Sequence, residues 1–255
     1  MQILFSPTKQ MNFKSEAAAV SKELQFSIPS FSDKARILNE LLKEFSREDL
    51  GILMKMSDTL AGQTFETVRT FESHSGKPAL FTYSGTSFQA LDAPSLDQES
   101  LKFASEKLNI LSGMYGLLRP LDLIAPYRLE MKTPLSLGDS KNLTAFWKPL
   151  ITGKLSEKIR THGDKTVINL ASEEYSKTID KKYLNCRILN FHFKDKSSSG
   201  YRTVGMYAKT ARGKMVQRIL SEKILNPDIL KDTPTYDYEF RSDMSDGENW
   251  VFTRG

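Results

Sequence analysis

The chain has 255 residues, with 36 Lys and Arg against 31 Asp and Glu, a formal charge of +5 and a sequence pI of about 9.1. This mild basic excess favours nucleic acid, nucleotides or anionic surfaces as partners, while the single cysteine, Cys186, excludes an internal disulfide or a thiolate metal cluster and fits a reducing compartment. No apolar run approaches the roughly 20 residues of a membrane span, and Met-Gln-Ile-Leu-Phe-Ser-Pro has neither the basic front nor the apolar stretch of a signal peptide, so a soluble intracellular protein is expected.

In chain order, Gln2 to Ser6 reads as a strand stopped by Pro7, and Asn12 to Pro29, without periodicity, as a long surface loop. Ser32-Asp33 is placed to cap a helix running to about Phe45 with Ala35, Leu38, Leu41, Leu42 and Phe45 on one face. Ser46 opens a second helix, the chain turns at Met56-Ser57-Asp58, and a third helix follows to about Phe71. This helical sub-region, 32–71, suits a helix-hairpin-helix, in which amides at the second helix's N-terminus meet a DNA phosphate and Lys55, Ser57 and Thr59 add donors. Only Gly62 is present where that motif usually carries a Gly-x-Gly hairpin, and an ordinary corner of two helices is the other reading.

Ala79 to Tyr83 reads as a strand, Ser84 to Leu91 as a turn and short helix, and Asp97 caps a helix through Lys107. Leu108 to Leu111 is a short buried strand. Asn142 to Arg160 is the clearest long helix, which Pro149 should kink or split. Thr166 to Leu170 is a strand, and the loop after it offers Asn169, Ser172, Glu174 and Tyr175, because open α/β sheets place ligand groups there. Arg187 to Phe193 and Tyr201 to Ala208 read as a hairpin tipped at Ser197-Ser198-Ser199-Gly200, followed by a helix to about Ile224. A last hairpin pairs Tyr236 to Phe240 with Asn249 to Thr253 around Asp246-Gly247. With no repeat and no linker in 1–255, we expect one α/β domain with a mixed sheet core surrounded by helices.

Two stretches carry the candidate chemistry. From Leu108 to Lys132 the chain is broken by Gly113, Gly116, Pro120 and Pro126, a stiff path that holds Arg119, Asp122, Arg128, Glu130 and Lys132 in set positions. Asp122 and Glu130 are either a general acid/base pair or ion-pair partners that orient Arg119 and Arg128. Tyr115 and Tyr127 either stack on a base or line the rim of the core. From Arg202 to Arg218 five basic residues occur with no acidic one: Arg202, Lys209, Arg212, Lys214 and Arg218. On a helix starting near Lys209, Lys214 and Arg218 lie opposite the apolar face, with Lys209 and Arg212 around the N-terminal turn, where free amides also favour an anion. If Lys9, Arg119 and Arg128 converge on the same groove, a merely solvated basic face is ruled out.

Phosphate-loop and dinucleotide fingerprints are absent. Gly113-Met-Tyr-Gly116 imitates the clamp loop of KH domains without its basic residue. Ser6-Pro-Thr-Lys9 has the spacing of a Ser/Lys nucleophile pair, but Pro7 argues for Lys9 as an anion contact. His74, His162 and His192 have no ligand-spaced partner, so no metal and no cofactor are expected. Cys186 is expected as a buried strand thiol rather than a redox sensor.

Ser-Gly-Met-Tyr-Gly-Leu-Leu-Arg-Pro-Leu-Asp (112–122), followed by Pro-Tyr-Arg-Leu-Glu-Met (126–131), closely resembles the signature of the bacterial YaaA family of peroxide stress resistance proteins. Further matches are Ser6-Pro7-Thr8-Lys9, Met56-Ser57-Asp58 with Leu60-Ala61, Asn169-Leu170-Ala171-Ser172 with Glu174-Tyr175, and Tyr207-Ala208-Lys209 with Ala211-Arg212-Gly213. The resemblance spans nearly the whole chain. It implies a cytosolic protein that binds DNA and limits iron-dependent peroxide damage, with an α/β fold of unusual topology and a helix-hairpin-helix beside a positively charged cleft. The expected partner is DNA, double-stranded or branched, bound by a monomer away from membranes. Its contacts would be Lys9, Lys55, Ser57, Thr59, Arg119, Arg128, Lys132, Lys209, Arg212, Lys214 and Arg218. The alternative is an enzyme acting on a nucleotide, nucleobase or other small anion in the same cleft, with Asp122, Glu130, Asn169, Glu174 and Tyr175 as candidate catalytic groups.

Overall fold

The computed structural model describes residues 1–14 and 24–255. Its first strand, β1 (Gln2–Phe5), is buried along its whole length. Three helices follow the first loop: α1 (Ser32–Lys43), α2 (Arg47–Met54) and α3 (Asp58–Arg69). Helix α1 buries Ala35, Leu38, Asn39 and Leu42, the stripe its spacing dictates. Ser46 and Asp49 form a reciprocal capping box at the start of α2. Next come β2 (Lys77–Pro78), α4 (Ala79–Thr82), α5 (Thr86–Leu91), α6 (Gln98–Lys107) and β3 (Leu108–Ser112). A hairpin returns as β4 (Gly116–Leu118), and β5 (Leu123–Ile124) pairs with β2. The second half runs α7 (Leu143–His162), β6 (Thr166–Asn169), α8 (Glu173–Ser176), β7 (Arg187–Ser197), β8 (Gly200–Arg202), α9 (Gly205–Ser221), β9 (Glu239–Phe240) and β10 (Asn249–Arg254).

Among the described residues the main sheet has eight strands, in the order β4-β3-β1-β6-β7-β10-β9 with β8 paired to β7. The five central strands β3, β1, β6, β7 and β10 run parallel, and the edge strands β4, β8 and β9 run antiparallel. The fold is therefore mixed α/β with a mostly parallel sheet. Strands β1 and β3 bury every residue, so both faces are covered and their apolar residues do not alternate with exposed polar ones; the polar Gln2, Asn109 and Ser112 are buried with them.

Four expectations need correction. Ala79 to Tyr83 is not a strand: Ala79–Thr82 is one helical turn entered from Pro78, its first amides donating to the carbonyls of Asp122 (2.9 Å) and Pro120 (2.9 Å). A five-residue apolar run has no periodicity to separate a buried strand from a buried turn. Tyr201 to Ala208 is strand only to Arg202, and α9 begins at Gly205, four residues before the expected start near Lys209. Pro149 lies inside α7 without splitting it. Cys186 precedes β7 and is half-buried; burial raises its thiol pKa. The expected loop Asn12 to Pro29 lies partly outside the described residues. Its described end is tied down, with Ser27 Oγ donating to Asp122 at 2.6 Å.

The Leu108–Lys132 stretch forms one packed wall. A Cβ on Gly113 would sit 2.3 Å from the Leu129 carbonyl oxygen, so only glycine lets the β3–β4 turn lie against Leu129 and Glu130. The Gly113 carbonyl accepts the Trp147 indole N–H at 2.8 Å, and Trp147 is wholly buried. Arg128 and Glu130 are thus carried on a segment clamped by a core aromatic of another element.

Candidate functional site

Strand β1 pairs with β3 on one side and β6 on the other. The chain visits β3 first and only later returns to β6, so the winding reverses beside β1. A crevice opens beyond the carboxyl ends of parallel strands at such a switch. Here Ser6-Pro7-Thr8-Lys9 leaves β1 and Leu170-Ala171-Ser172 leaves β6 at the same end of the sheet. The two loops are locked together: Ser172 N–H donates to Ser6 Oγ at 2.8 Å, and Ser6 Oγ lies 3.2 Å from Ser172 Oγ. Thr8 Oγ1 accepts the Gly85 N–H at 3.2 Å and donates to the Gln10 carbonyl at 2.9 Å.

A cavity of about 380 Å³ lies over this switch, walled by these loops, Gly85–Ser87, Tyr127–Glu130, and Lys209 and Arg212 of α9. Its inner part includes the buried Phe5, Leu129, Leu170 and Tyr175. Lys9, whose side chain is 53 % exposed, stands at the mouth. The close approach of α9 to α5 sets the far wall. A Cβ on Gly213 would lie 2.1 Å from the Ser87 carbonyl oxygen, so a glycine beside Arg212 lets the helix seat against the Gly85–Ser87 turn.

The charges in this cavity fall into two groups. Glu130 is shared by Lys9 (2.8 Å) and Lys132 (3.4 Å). Burial pushes its carboxyl up, but the two ammoniums outweigh that and hold its pKa below the ordinary value. Glu174 accepts the Lys132 backbone N–H at 3.1 Å. Arg128, Lys209 and Arg212 form the second group, and none has a carboxylate partner among the described residues. Arg212 Nε is buried and makes no hydrogen bond, and burial lowers its pKa from the ordinary value. A guanidinium remains charged at neutral pH, and a desolvated charge without a partner costs free energy. The arrangement therefore suits an anion arriving from solution.

Beneath the cavity, Tyr127 Oη lies 2.7 Å from Tyr83 Oη and 2.8 Å from Ser112 Oγ. Burial pushes the Tyr127 phenol up to about 12, against the opposing pull of the Ser112 and Tyr83 hydrogen bonds, so it is protonated at neutral pH. Its hydroxyl is occupied within the protein by Tyr83 and Ser112.

The sequence candidates separate on this geometry. Lys9, Arg128, Glu130, Glu174, Tyr175, Lys209 and Arg212 line one cavity, with Lys132 joined at its edge through Glu130. Arg119 does not join them. Its Nε donates to Asp122 at 3.0 Å and its Nη2 to the Ile28 carbonyl at 3.2 Å. Asp122 is fully buried, held by Ser27 and Arg119, and lies outside the cavity; burial raises its pKa despite those partners. Its surroundings are those of an anchor for Arg119 rather than an acid/base partner of Glu130. Asn169 is buried and bonded to Asn190 (3.0 Å) and the Ala171 N–H (3.1 Å), shaping the turn without lining the cavity. Lys214 and Arg218 lie on a second, shallow groove with Thr233–Tyr236. Arg218 is occupied there by Glu222, Thr233 and Thr235. Lys55, Ser57 and Thr59 are exposed at the α2–α3 corner, where Lys55 has φ +51°. Thr8, Gln10 and Ser87 were not anticipated; the signal for them was Gly85 and Gly213, small residues where two segments must touch.

These features define a mixed α/β protein with a cavity of apolar inner lining and cationic side chains at the switch point of a mostly parallel sheet. The family described as peroxide stress protein YaaA matches residues 1–244, and the chain belongs to that family. A UPF0246 protein of Francisella philomiragia is 38% identical over 259 residues, covering 100% of both chains. A UPF0246 protein of Chromobacterium violaceum is 36% identical over 258 residues, covering 100% of this chain and 99% of its own. Another, from Clostridium perfringens, is 37% identical over 257 residues and all of both chains.

Proposed function

We propose that this peroxide stress protein binds DNA through backbone phosphates, structure-selectively or without sequence preference, and so limits iron-dependent oxidative damage to it. The observation that carries this reading is the trio Arg128, Lys209 and Arg212, converging on one cavity with no carboxylate partner among the described residues. Lys9 and Lys132 add positive charge at its edge. In the same reading the α2–α3 corner acts as a helix-hairpin-helix clamp, with exposed Ser57 and Thr59 hydroxyls at the start of the 12-residue α3. Asp58 stands in the first turn of α3, but Arg47 engages its carboxylate. Phosphate contacts position a protein on nucleic acid without conveying sequence.

The test is binding of duplex, junction and single-stranded DNA at two salt concentrations. Log K should fall against log salt by roughly 0.9 per duplex phosphate contacted. Charge reversal at Lys209 or Arg212 should weaken every sequence alike. A flat salt response, or a reversal that alters sequence preference, ends the reading.

A second reading, an enzyme acting on a nucleotide or other small anion, is favoured by the cavity volume of about 380 Å³, which lies in the range of small-molecule sites. Against it, Glu130 is held ionised by Lys9 and Lys132 and lacks the raised pKa of a general acid.

A further inference from the structure

We infer that the cavity receives a phosphate monoester, the doubly charged group that ends a nucleic acid strand or caps a free mononucleotide, rather than the diester of an uninterrupted backbone; this rests on the phosphate reading above. Size is the first reason. A space of about 380 Å³ with a buried inner lining admits one nucleotide unit, so an intact duplex reaches the exposed cations Lys9 and Lys209 at the mouth while only a strand end enters. An uninterrupted strand must enter and leave, whereas a terminus only needs to enter.

Charge is the second reason. The lining carries four cations, Lys9, Arg128, Lys209 and Arg212, and two carboxylates, Glu130 and Glu174. That leaves two positive charges in excess in the lining itself, with Lys132, which shares Glu130, adding a third at the edge. A monoester carries roughly −1.5 to −2 near neutral pH, with a second pKa of about 6, so it balances this excess, while a singly charged diester leaves about half of it unmatched.

The third reason is which donors remain free. The hydroxyls of Ser6 and Thr8 are used in holding the loops together. Arg212 keeps a buried Nε with no acceptor, and a guanidinium fork matches the oxygens of a terminal phosphate bidentately. The chemistry also suits peroxide stress: radical attack on deoxyribose breaks strands and leaves phosphate monoesters at the broken ends.

The test compares short duplexes identical except for hydroxyl, 5′-phosphate or 3′-phosphate ends, a covalently closed circle, and deoxyadenosine 5′-monophosphate as competitor. Phosphate-ended duplexes should bind at least about tenfold more tightly than hydroxyl-ended ones, as expected for a charge-assisted contact. Arg212→Gln and Lys209→Gln should each remove that difference. Lys214→Gln, on the other groove, should preserve it. Should Arg212→Gln fail to fold, the exposed Lys209 carries the test. Competition by the mononucleotide at the same concentration as the ended strand identifies a free nucleotide as the source; preference for the strand identifies a DNA end. Equal binding of closed, hydroxyl-ended and phosphate-ended DNA overturns the inference and leaves the DNA reading standing. Mononucleotide binding without any DNA binding does the reverse.

Discussion

The two ends of the same parallel strands treat positive charge in opposite ways. At the amino end of β1, the Met1 ammonium, Gln2 and Lys107 all converge on Asp164, with Gln2 Nε2 at 2.6 Å and Lys107 Nζ at 3.3 Å. Asn109 extends this network, donating to Gln2 at 2.9 Å and accepting from Lys158 at 2.9 Å. Burial pushes the Asp164 carboxyl up, but the ammonium and Gln2 outweigh it and its pKa falls below the ordinary value. At the carboxyl end, Arg128, Lys209 and Arg212 surround a cavity with no such acceptor among the described residues. Cations that meet an internal acid hold the fold together. Cations left without one weaken the fold and are available to a ligand, the usual trade between stability and function.

The sharpest way to break this contrast is Asp164→Ala. It leaves the Met1 ammonium and Lys107, whose side chains are 1 % and 9 % exposed, without a partner, and should cost about 3–5 kcal/mol in urea unfolding while leaving anion affinity per folded molecule unchanged. A loss under 1 kcal/mol would remove the structural half of the comparison.

Lys158 is the exception at the same end, bonded to Asn109 rather than to an acid, and supplies a pH test. Burial, then the nearby Arg119 charge, lowers its pKa from 10.5 to about 8. Between these values the unfolded chain holds more protons, so stability rises as pH increases from about 8 to 10.5. Below about 8 both states are protonated and the full cost of the buried charge is present. The wild-type stability minus that of Lys158→Met should therefore climb across this window, by at most about 3 kcal/mol. A difference that stays level with pH removes the buried-charge explanation.

At the cavity, Gly213→Ala inserts a Cβ 2.1 Å from the Ser87 carbonyl. It should push α9 off the Gly85–Ser87 turn, cost about 1–3 kcal/mol, and weaken anion binding together with stability. Unchanged thermal unfolding would show that the helix seats differently. The smallest effect on stability sharpens the contrast most. Arg212→Met should leave the protein as stable as before or raise it by about 1 kcal/mol in unfolding, while a separate titration should show weaker anion binding. A marked destabilisation would mean that Arg212 has an internal partner after all.

Much of the scaffold was legible because local rules set it. Ser46 and Asp97 accept backbone amides at the helix starts expected of them, whereas Ser32-Asp33 does not cap α1, which begins after Phe31 with no side-chain cap; the apolar runs at Ile3–Phe5, Leu108–Leu111 and Val167–Ile168 are central strands. Short apolar runs such as Ala79–Tyr83 were misread because a single buried turn leaves no periodicity. The basic run from Arg202 to Arg218 was visible, but not its division: one helix sends Lys209 and Arg212 to the cavity and Lys214 and Arg218 to a separate groove. Arg119 and Arg128, nine residues apart in one signature stretch, went separate ways because the buried Asp122 required a counter-charge.

The order of residues alone determined the family, the starts of α2 and α6, the central strands and the presence of rigid glycine- and proline-broken segments, since each depends on neighbours within a few positions. Which cations are paired and which stand free was decided only in three dimensions. Counter-charges here come from 121 residues away for Lys9 and Glu130 and from 163 for Met1 and Asp164. Only the folded sheet sets such distances, and with them the line between a strut and a site.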